Sequence, residues 1–230
     1  MSLIKELADA LRQQGTCVIS VTGAGGKTTS LSCLAREYAK RGLSVLITTT
    51  TKFQGPRQFP YGLDHAFSKE EEVLLHEPCK GEVVYYASRS VVDMKKYVSP
   101  RPEILSLLIP RYDVTVIEAD GAKTLPLKYH TERDPVIVPE TTATLAVMGA
   151  SAYMDRADNC CFGHDGNETA DIAFYQKLID SPEGVLKRAK GKEVILINQC
   201  DSVSDPAVFD ALKAPCRIIK GSLQKDMIYV

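Results

Sequence analysis

Apolar residues recur along this chain with two alternating periods, which predict helices and strands in turn. Leucines repeat at helical spacing over residues 3–11, and a nearly continuous apolar run over 16–21 then predicts a strand buried on both faces. Helical spacing returns over 27–40 and is followed by a second apolar run over 44–47. A strand, a helix and a strand in this order predict a parallel pair joined by a right-handed crossover.

The same alternation continues towards the C-terminus. Further strands are predicted over the short apolar runs 81–87, 113–117, 144–148, 194–197 and 217–219. Further helices are predicted over 68–75 with Ser68 as the cap, and over 100–108, 169–179, 184–190 and 206–212. Residues 135–139 are predicted to form an extended piece and residues 159–166 a loop.

Strands and helices that alternate in this way indicate a single α/β domain over residues 1–230, with a mostly parallel sheet flanked by helices. Residues 53–110 follow the alternation less regularly and predict either an insertion in the sheet or a lid. The composition is that of an ordinary globular protein, with 44% hydrophobic and 25% charged residues.

The formal net charge is −1, which gives no indication of a broad basic surface for nucleic acid. No apolar run approaches the length of about 18 residues that a membrane span needs, and the N-terminus lacks the apolar core of a signal peptide. We therefore expect a cytoplasmic protein without a membrane partner, in which the seven cysteines are mostly reduced thiols.

The stretch between the first predicted strand and the second predicted helix reads G-A-G-G-K-T-T, the layout of a phosphate-binding loop. Its glycines let backbone N–H groups face an anion, and the helix N-terminus adds partial positive charge. Lys27 is expected to reach the terminal phosphates of ATP or GTP, and Thr28 to bind Mg²⁺. The predicted nucleotide ligands are Gly23, Ala24, Gly25, Gly26, Lys27, Thr28 and Thr29.

These residues predict a fold like that of P-loop NTPases, although the loop is shorter than the usual G-x-x-x-x-G-K-[ST]. Val21 stands where the first glycine of that pattern is expected. The alternative is a glycine-rich turn that binds nothing.

Two carboxylates follow the strand predicted over 113–117, at the end where a parallel strand meets its ligand crevice. Glu118 and Asp120 lie two residues apart and point to the same side if the strand continues through them. Either one is a candidate to hold Mg²⁺ or to position an attacking water. The alternative is a carboxylate that caps a helix or pairs with Lys123, and the sequence does not choose between the two residues.

A third polar cluster, N-Q-C-D over 198–201, ends the strand predicted over 194–197. It is similar to the N-K-x-D signature of GTP-binding proteins, whose carboxylate contacts guanine, but Gln199 replaces the lysine. Asn198 and Asp201 are therefore predicted to contact the nucleotide base, with an ordinary Asn–Asp turn as the alternative.

Hydroxyl and ammonium groups near these strand ends are candidate substrate or phosphate contacts. They are Thr49, Thr50, Lys52, Lys123 and Lys128. Threonines are also common in strands for their shape alone.

A loop with Cys160, Cys161, His164 and Asp165 offers thiolate and imidazole, which metals accept. Adjacent cysteines suit one metal poorly, so this remains a minor alternative. We expect His65, His76 and His130 to be isolated surface residues.

Taken together, the motifs resemble the YqeC family, accessory proteins of selenium-dependent molybdenum hydroxylases. The matching segments, in order, are 23–29, the threonine run 48–51, E-A-D-G-A-K over 118–123, P-L-K over 126–128, P-V-I-V-P over 135–139 and 198–201. The resemblance implies a P-loop fold and a role in maturing the cofactor of those hydroxylases, with the hydroxylase or its maturation proteins as partners. It also implies that Lys27 and Thr28 bind phosphate and Mg²⁺, that Glu118 and Asp120 form the acidic site, and that Lys128 contacts substrate or phosphate.

The chain departs from that family pattern at Gln199, at Arg133 with Asp134, and at Asp155 with Arg156. The glycine loop is also similar to the G-T-N-G-K-T-T loop of Mur ligases, in which ATP phosphorylates a carboxylate. A C-terminal ligase domain does not fit in 230 residues, so that resemblance implies a shared ATP-binding core.

From the sequence we predict a Mg²⁺-dependent nucleotide-binding protein that hydrolyses the nucleotide or transfers a phosphoryl or nucleotidyl group. Lys27, Glu118 and Asp120 are the predicted catalytic residues, and Thr28, Glu118 and Asp120 the predicted metal ligands. The alternatives are a non-catalytic, nucleotide-gated docking module, Mur-ligase-like carboxylate activation, and a selenium or sulfur carrier that uses Cys160 or Cys161.

Overall fold

A nine-stranded sheet runs through the centre of the computed structural model, which describes residues 2–52, 62–89 and 97–229. The strands in these ranges are β1 (Cys17–Gly23), β2 (Val45–Thr49), β3 (His65–Phe67), β4 (Val83–Tyr86), β5 (Ser88–Arg89), β6 (Tyr97–Val98), β7 (Val114–Glu118), β8 (Leu127–Lys128), β9 (Ala143–Gly149), β10 (Cys161–Phe162), β11 (Lys192–Asn198), β12 (Arg217–Ser222) and β13 (Met227–Ile228). The α-helices there are α1 (Leu3–Leu11), α2 (Lys27–Lys40), α3 (Glu70–Leu75), α4 (Pro102–Leu108), α5 (Ala157–Cys160) and α6 (Ile172–Asp180).

The order of strands in the main sheet is β13-β12-β11-β9-β1-β7-β2-β4-β3. Neighbouring strands are parallel except for β12 and β13, which pair antiparallel. The prediction of an α/β fold with a mostly parallel sheet flanked by helices is confirmed. Among the residues described, no helix combines the length and apolar character that a bilayer crossing requires.

Strand β1 lies between β7 and β9, and this position brings three strand ends together. Val21 pairs with Glu118 on one side, and Gly23 pairs with Val147 on the other. Because parallel strands end at the same edge, the segments after β1 and β7 meet at one crevice, and β9 and β11 end beside them.

Helices cover both faces of the sheet, so alternate residues of a strand are buried on opposite faces. Ile19 and Val21 pack with leucines of α1 and α2 on one face. Ala146 and Ile195 pack with Tyr175 and other residues of α6 on the opposite face. Strand β4 uses Val84 and Tyr86 on that second side, where α3 and α4 pack.

Several predicted boundaries are confirmed, among them those of α1 and α2, and others are wrong. Helix α3 begins at Glu70, and its cap position is Lys69, which makes no side-chain capping bond, so Ser68 is not the cap. Residues 184–190 form turns rather than a helix, because Arg188 has a φ of 55° and the hydrogen bonds span three residues. The last predicted helix is a 3-10 helix over Pro206–Ala211.

The segment predicted as a loop over 159–166 contains the end of α5 and all of β10. Cys161 and Phe162 pair with Leu127 and Lys128 in a small parallel sheet. Sequence patterning also missed the short strands β3 and β13. Strands β3 and β4 extend the main sheet beyond β2. Part of the segment 53–110, namely residues 53–61 and 90–96, lies outside the described ranges, and the insertion or lid stays a prediction.

Candidate functional site

The glycine loop connects β1 directly to α2, as predicted, with β1 extending through Gly23 rather than ending at Val21. Gly23 and Gly25 have φ angles of 86° and 82°, in the left-handed region that favours glycine. A Cβ at Gly25 would lie 2.4 Å from the Cα of Gly149, and a Cβ at Gly26 would lie 2.4 Å from Nδ2 of Asn198. The backbone therefore passes too close to its neighbours for any side chain.

Asp120 is the centre of a buried polar network beneath this loop. Its Oδ2 accepts hydrogen bonds from the backbone N–H of Gly23 at 2.9 Å and contacts His130 Nε2 at 2.6 Å. Lys27 Nζ lies 3.1 Å from its Oδ1, and Lys128 Nζ lies 3.5 Å from its Oδ2. Asp120 is fully buried, and burial alone would raise its pKa, but Lys27, His130 and Lys128 lower it to about 2.

Lys27 is held in place by the loop that precedes it. Its Nζ donates a hydrogen bond to the carbonyl oxygen of Gly23 at 2.7 Å in addition to its ion pair with Asp120. The side chain is buried and lines the cleft in front of the loop. The ammonium group is thus fixed at the N-terminus of α2, where the helix dipole also attracts anions.

Glu118 has a different environment from Asp120, although the two residues are only two positions apart. It is buried, it lines the cleft, and its Oε2 has no hydrogen-bond partner. Burial raises the pKa of Glu118, and Asp120 adds to this effect, whereas Lys27 opposes it, so that the pKa is about 7. The protonation state of Glu118 therefore changes near neutral pH, which suits a general acid or base.

A cleft with a volume of about 780 Å³ runs along the glycine loop. The predicted residues that line it are Gly25, Gly26, Lys27, Thr28, Thr29, Lys52, Glu118 and Lys123. Further lining residues include Thr51, Arg133, Asp134, Ser151, Phe162 and Gln199. The volume lies in the range of pockets that bind cofactors and small molecules.

The structure places Asn198 beneath the glycine loop. Its Nδ2 donates to the carbonyl oxygen of Gly25 at 2.8 Å, and its Oδ1 accepts from the N–H of Leu223 at 3.0 Å. Asp201 lies 3.5 Å from Lys225 Nζ, and the neighbouring Gln199 is the member of this segment that lines the cleft. Asn198 thus anchors the loop, while the predicted base contacts of Asn198 and Asp201 stay predictions.

The other predicted substrate contacts have varied positions. Thr49 and Thr50 donate hydrogen bonds through Oγ1 to backbone carbonyl oxygens, at 3.1 Å and 2.7 Å respectively, and Ala24 is buried. Lys128 has a fully buried side chain, donates to the carbonyl oxygen of Gly121 at 2.5 Å and pairs with Asp134.

The YqeC protein family model matches residues 19–165, which is more than half of the chain. The chain belongs to the YqeC family. The matched residues contain the glycine loop, Glu118, Asp120 and Lys128, and end before Asn198. A curated relative, the uncharacterized protein YqeC of Escherichia coli K12, is 35% identical over 140 residues, covering 60% of this chain and 53% of the relative. The chain thus spans about half the length of that relative, and no solved structure matches.

Sequence reasoning missed one residue at the centre of this YqeC site. His130 was expected at the surface, but it is buried, and its two ring nitrogens contact Asp120 and the carbonyl oxygen of Gly184, the latter at 2.7 Å. No local pattern in the sequence marks His130, because its contact with Asp120 depends on the path of the chain after β8.

The two adjacent cysteines of this YqeC family member, Cys160 and Cys161, are buried. Cys160 and Cys161 belong to the core under α6. Burial raises the pKa of Cys160 to about 11 and that of Cys161 to about 12, so both are protonated near neutral pH. Neither thiol is positioned as a reactive nucleophile.

Proposed function

We propose that this protein binds a nucleoside triphosphate with Mg²⁺ and cleaves or transfers its terminal phosphoryl group. One observation supports this more than any other. Gly25 and Gly26 of the glycine loop, Lys27 and Glu118 all line the same cleft of about 780 Å³. Backbone N–H groups, a helix N-terminus and a fixed cation suit a triphosphate, and a carboxylate beside them suits a hydrated divalent ion.

The donor set fits Mg²⁺ because that ion prefers oxygen ligands. Thr28 and Glu118 line the cleft, and Oε2 of Glu118 is a buried oxygen without a hydrogen-bond partner. A bound Mg²⁺ would neutralise charge on the phosphate oxygens. Lys27 would stabilise the terminal phosphate electrostatically from the opposite side.

The two carboxylates then divide their roles. Asp120 is enclosed by Lys27, His130 and the N–H of Gly23, so its role is to position the lysine and the loop. Glu118 lines the cleft and its buried Oε2 has no hydrogen-bond partner, so we assign to Glu118 the role of holding the metal or orienting the attacking water.

The main test replaces Lys27 with alanine. We expect Lys27→Ala to weaken MgATP and MgGTP binding in calorimetric titrations and to abolish phosphate release in rapid-quench assays. Lys40→Ala, at the exposed end of the same helix, is the matched control and is expected to behave as the wild type. Intact binding and turnover in Lys27→Ala would show that the glycine loop is not a phosphate site.

Lys27→Ala leaves Asp120 with fewer partners, so a second variant guards against simple misfolding. Thr28→Val replaces a partly exposed hydroxyl by a methyl group of similar size. It is expected to reduce the Mg²⁺ dependence of binding while circular dichroism stays unchanged.

We also propose that Asp201 contributes to the choice between ATP and GTP, following the N-x-x-D spacing. Competition titrations of Asp201→Asn should then shift the ratio of the two affinities. An unchanged ratio would remove Asp201 from base recognition and leave it with its partner Lys225.

The pathway is a separate proposal and rests on the resemblance to YqeC alone. We propose that the nucleotide chemistry serves the maturation of a selenium-dependent molybdenum hydroxylase. In a strain that lacks this gene, the wild type should restore hydroxylase activity and Lys27→Ala should not. Phosphate release measured with and without the hydroxylase separates an enzyme from a nucleotide-gated docking module.

A further inference from the structure

Two histidines and a glutamate converge at the edge of the main sheet, four strands away from β1. His65 begins β3, His76 follows α3, and Glu82 immediately precedes β4. Nε2 of His65 lies 3.2 Å from Oε1 of Glu82, and Nε2 of His76 lies 2.7 Å from the same oxygen. His65 and His76 are 11 positions apart in sequence, and His76 and Glu82 are 6 positions apart. The fold is therefore what brings the three side chains together.

The two histidines lie at ion-pair distance from Glu82, but the contact between His76 and Glu82 lacks hydrogen-bond geometry. Nε2 of His76 and Oε1 of Glu82 are both buried, and neither has a partner with hydrogen-bond geometry. Glu82 is only 8% exposed, and burying a carboxylate oxygen in this way is costly without compensation. The other oxygen of Glu82 accepts from the N–H of Cys79 at 2.8 Å, which fixes the carboxylate so that Oε1 faces the imidazoles.

The spacing of the three atoms is that of ligands around one ion. They all lie within 4.8 Å of one another, and among residues 2–52, 62–89 and 97–229 no other group of three His, Cys, Asp or Glu side chains meets this criterion. Tetrahedral zinc with bonds of about 2.0–2.1 Å places neighbouring ligand atoms about 3.3 Å apart. The contacts of His65 and His76 with Glu82 need only small shifts to reach that value.

We propose that His65, His76 and Glu82 bind a divalent transition-metal ion of the zinc class. Two imidazoles and a carboxylate are a ligand set that zinc accepts, with a fourth position left for water. The half-exposed ring of His65 marks the side from which solvent reaches that position.

The surrounding contacts hold the ligands in place. The Phe67 ring lies 6.0 Å from the ring of His65 and 5.2 Å from that of His76, measured between centroids. Arg111 donates a hydrogen bond to the carbonyl oxygen of His76 at 2.6 Å. The ion would join the short edge strand β3 to the end of α3 and the start of β4, and so stabilise this edge of the sheet.

The test is a calorimetric titration of the full chain with ZnCl₂, in excess Mg²⁺ so that the nucleotide cleft does not compete. We expect one ion per chain, and a higher melting temperature when it is bound. His65→Ala and Glu82→Gln should each weaken binding by more than about 100-fold, beyond the range of changes to outer-shell residues. Glu82→Gln keeps an acceptor for the N–H of Cys79, so its fold is preserved.

Two controls separate this site from other zinc ligands in the chain. His164→Ala removes a histidine that pairs with Glu168 at 3.0 Å outside any group of three, and it should leave binding unchanged. Cys79→Ser should also bind normally, and the Co²⁺ form should lack a thiolate charge-transfer band. Absence of stoichiometric binding, or equal affinity in wild type, His65→Ala and Glu82→Gln, would overturn the proposal.

Discussion

The glycine loop can be tested by adding a single methyl group at Gly25. This residue has a φ of 82°, and a Cβ there would lie 2.4 Å from both N and Cα of Gly149 and 2.9 Å from the carbonyl oxygen of Pro126. Gly42, at the other end of α2, has a φ of 80°, but a Cβ there meets nothing within 4 Å. The two alanine variants therefore share the backbone strain and differ in the steric overlap.

The expected magnitudes follow from this comparison. A left-handed conformation costs alanine about 1–2 kcal/mol, and the stiffer unfolded chain returns about 0.4–1 kcal/mol. Gly42→Ala should therefore destabilise the protein by about 1 kcal/mol. Gly25→Ala must also move backbone by about 1 Å to reach ordinary contact, and overpacking of this kind adds about 1–3 kcal/mol.

Urea unfolding measures both stabilities, and titration with MgATP and MgGTP measures binding. A shift of about 1 Å in the atoms that position a reacting group can cost about 100-fold in rate, so turnover by Gly25→Ala should fall steeply. Gly42→Ala should bind and turn over like the wild type. If Gly25→Ala matches Gly42→Ala in stability, affinity and turnover, the close approach to Gly149 does not shape the site.

Four further predictions concern the two carboxylates and Asn198, which anchors the loop. The pKa of Glu118 is raised to about 7 in the folded state, so this carboxyl ionises in the unfolded chain at lower pH and the free energy of unfolding falls between pH 4.5 and 7. Glu118→Gln lacks this loss, so between pH 4 and pH 8 its stability should gain about 3 kcal/mol relative to the wild type. Urea unfolding at the two pH values measures the difference. Turnover that needs ionised Glu118 should rise through pH 7. The pKa of Asp120 is lowered to about 2, so its ionised form contributes about 2 kcal/mol to stability above pH 4, and this contribution is lost towards pH 2. The stability of Asp120→Asn should not show this fall at acid pH. If its stability falls between pH 4 and pH 2 as steeply as that of the wild type, the ion pairs of Asp120 do not stabilise the protein. Asn198→Ala leaves the carbonyl oxygen of Gly25 and the N–H of Leu223 without their hydrogen bonds, which should lower the free energy of unfolding by about 1–3 kcal/mol in chemical denaturation. Nucleotide binding should weaken as well. Unchanged stability and affinity would show that other contacts hold the loop.

The hydrophobic pattern was sufficient to predict the parallel core of the fold. Strands buried on both faces, such as β7 and β9, appear in the sequence as short apolar runs, and α2 was predicted over its observed range. Short edge elements were not predictable in this way. Strand β3 has three residues, two of them exposed, so it carries no apolar run; it exists because β4 offers a free edge.

The glycine loop could be located from sequence because it is contiguous, and Asp120 and Asn198 were candidates because each follows a strand, whereas the support from His130 could not be predicted. His130 reaches Asp120 only through the return of the chain after β8, and a lone histidine has no periodic pattern. Likewise, His65 and His76 were expected to be isolated surface residues, because their proximity to each other and to Glu82 depends on the pairing of β3 with β4. Local motifs are visible in one sequence, but contacts between distant segments require the fold.

Glu118 and Asp120 show how burial and neighbouring charges assign different roles to similar side chains. Both are buried near Lys27, so desolvation alone would raise both pKa values. Asp120 contacts His130 and accepts a hydrogen bond from the backbone N–H of Gly23, and both interactions favour its charged form. Glu118, by contrast, has an oxygen without a hydrogen-bond partner. The charge of Lys27 is thus already balanced by Asp120 within the loop. An ionised Glu118 is additional buried negative charge, so its pKa stays raised; under the proposed function, a metal ion that arrives with the nucleotide would compensate this charge.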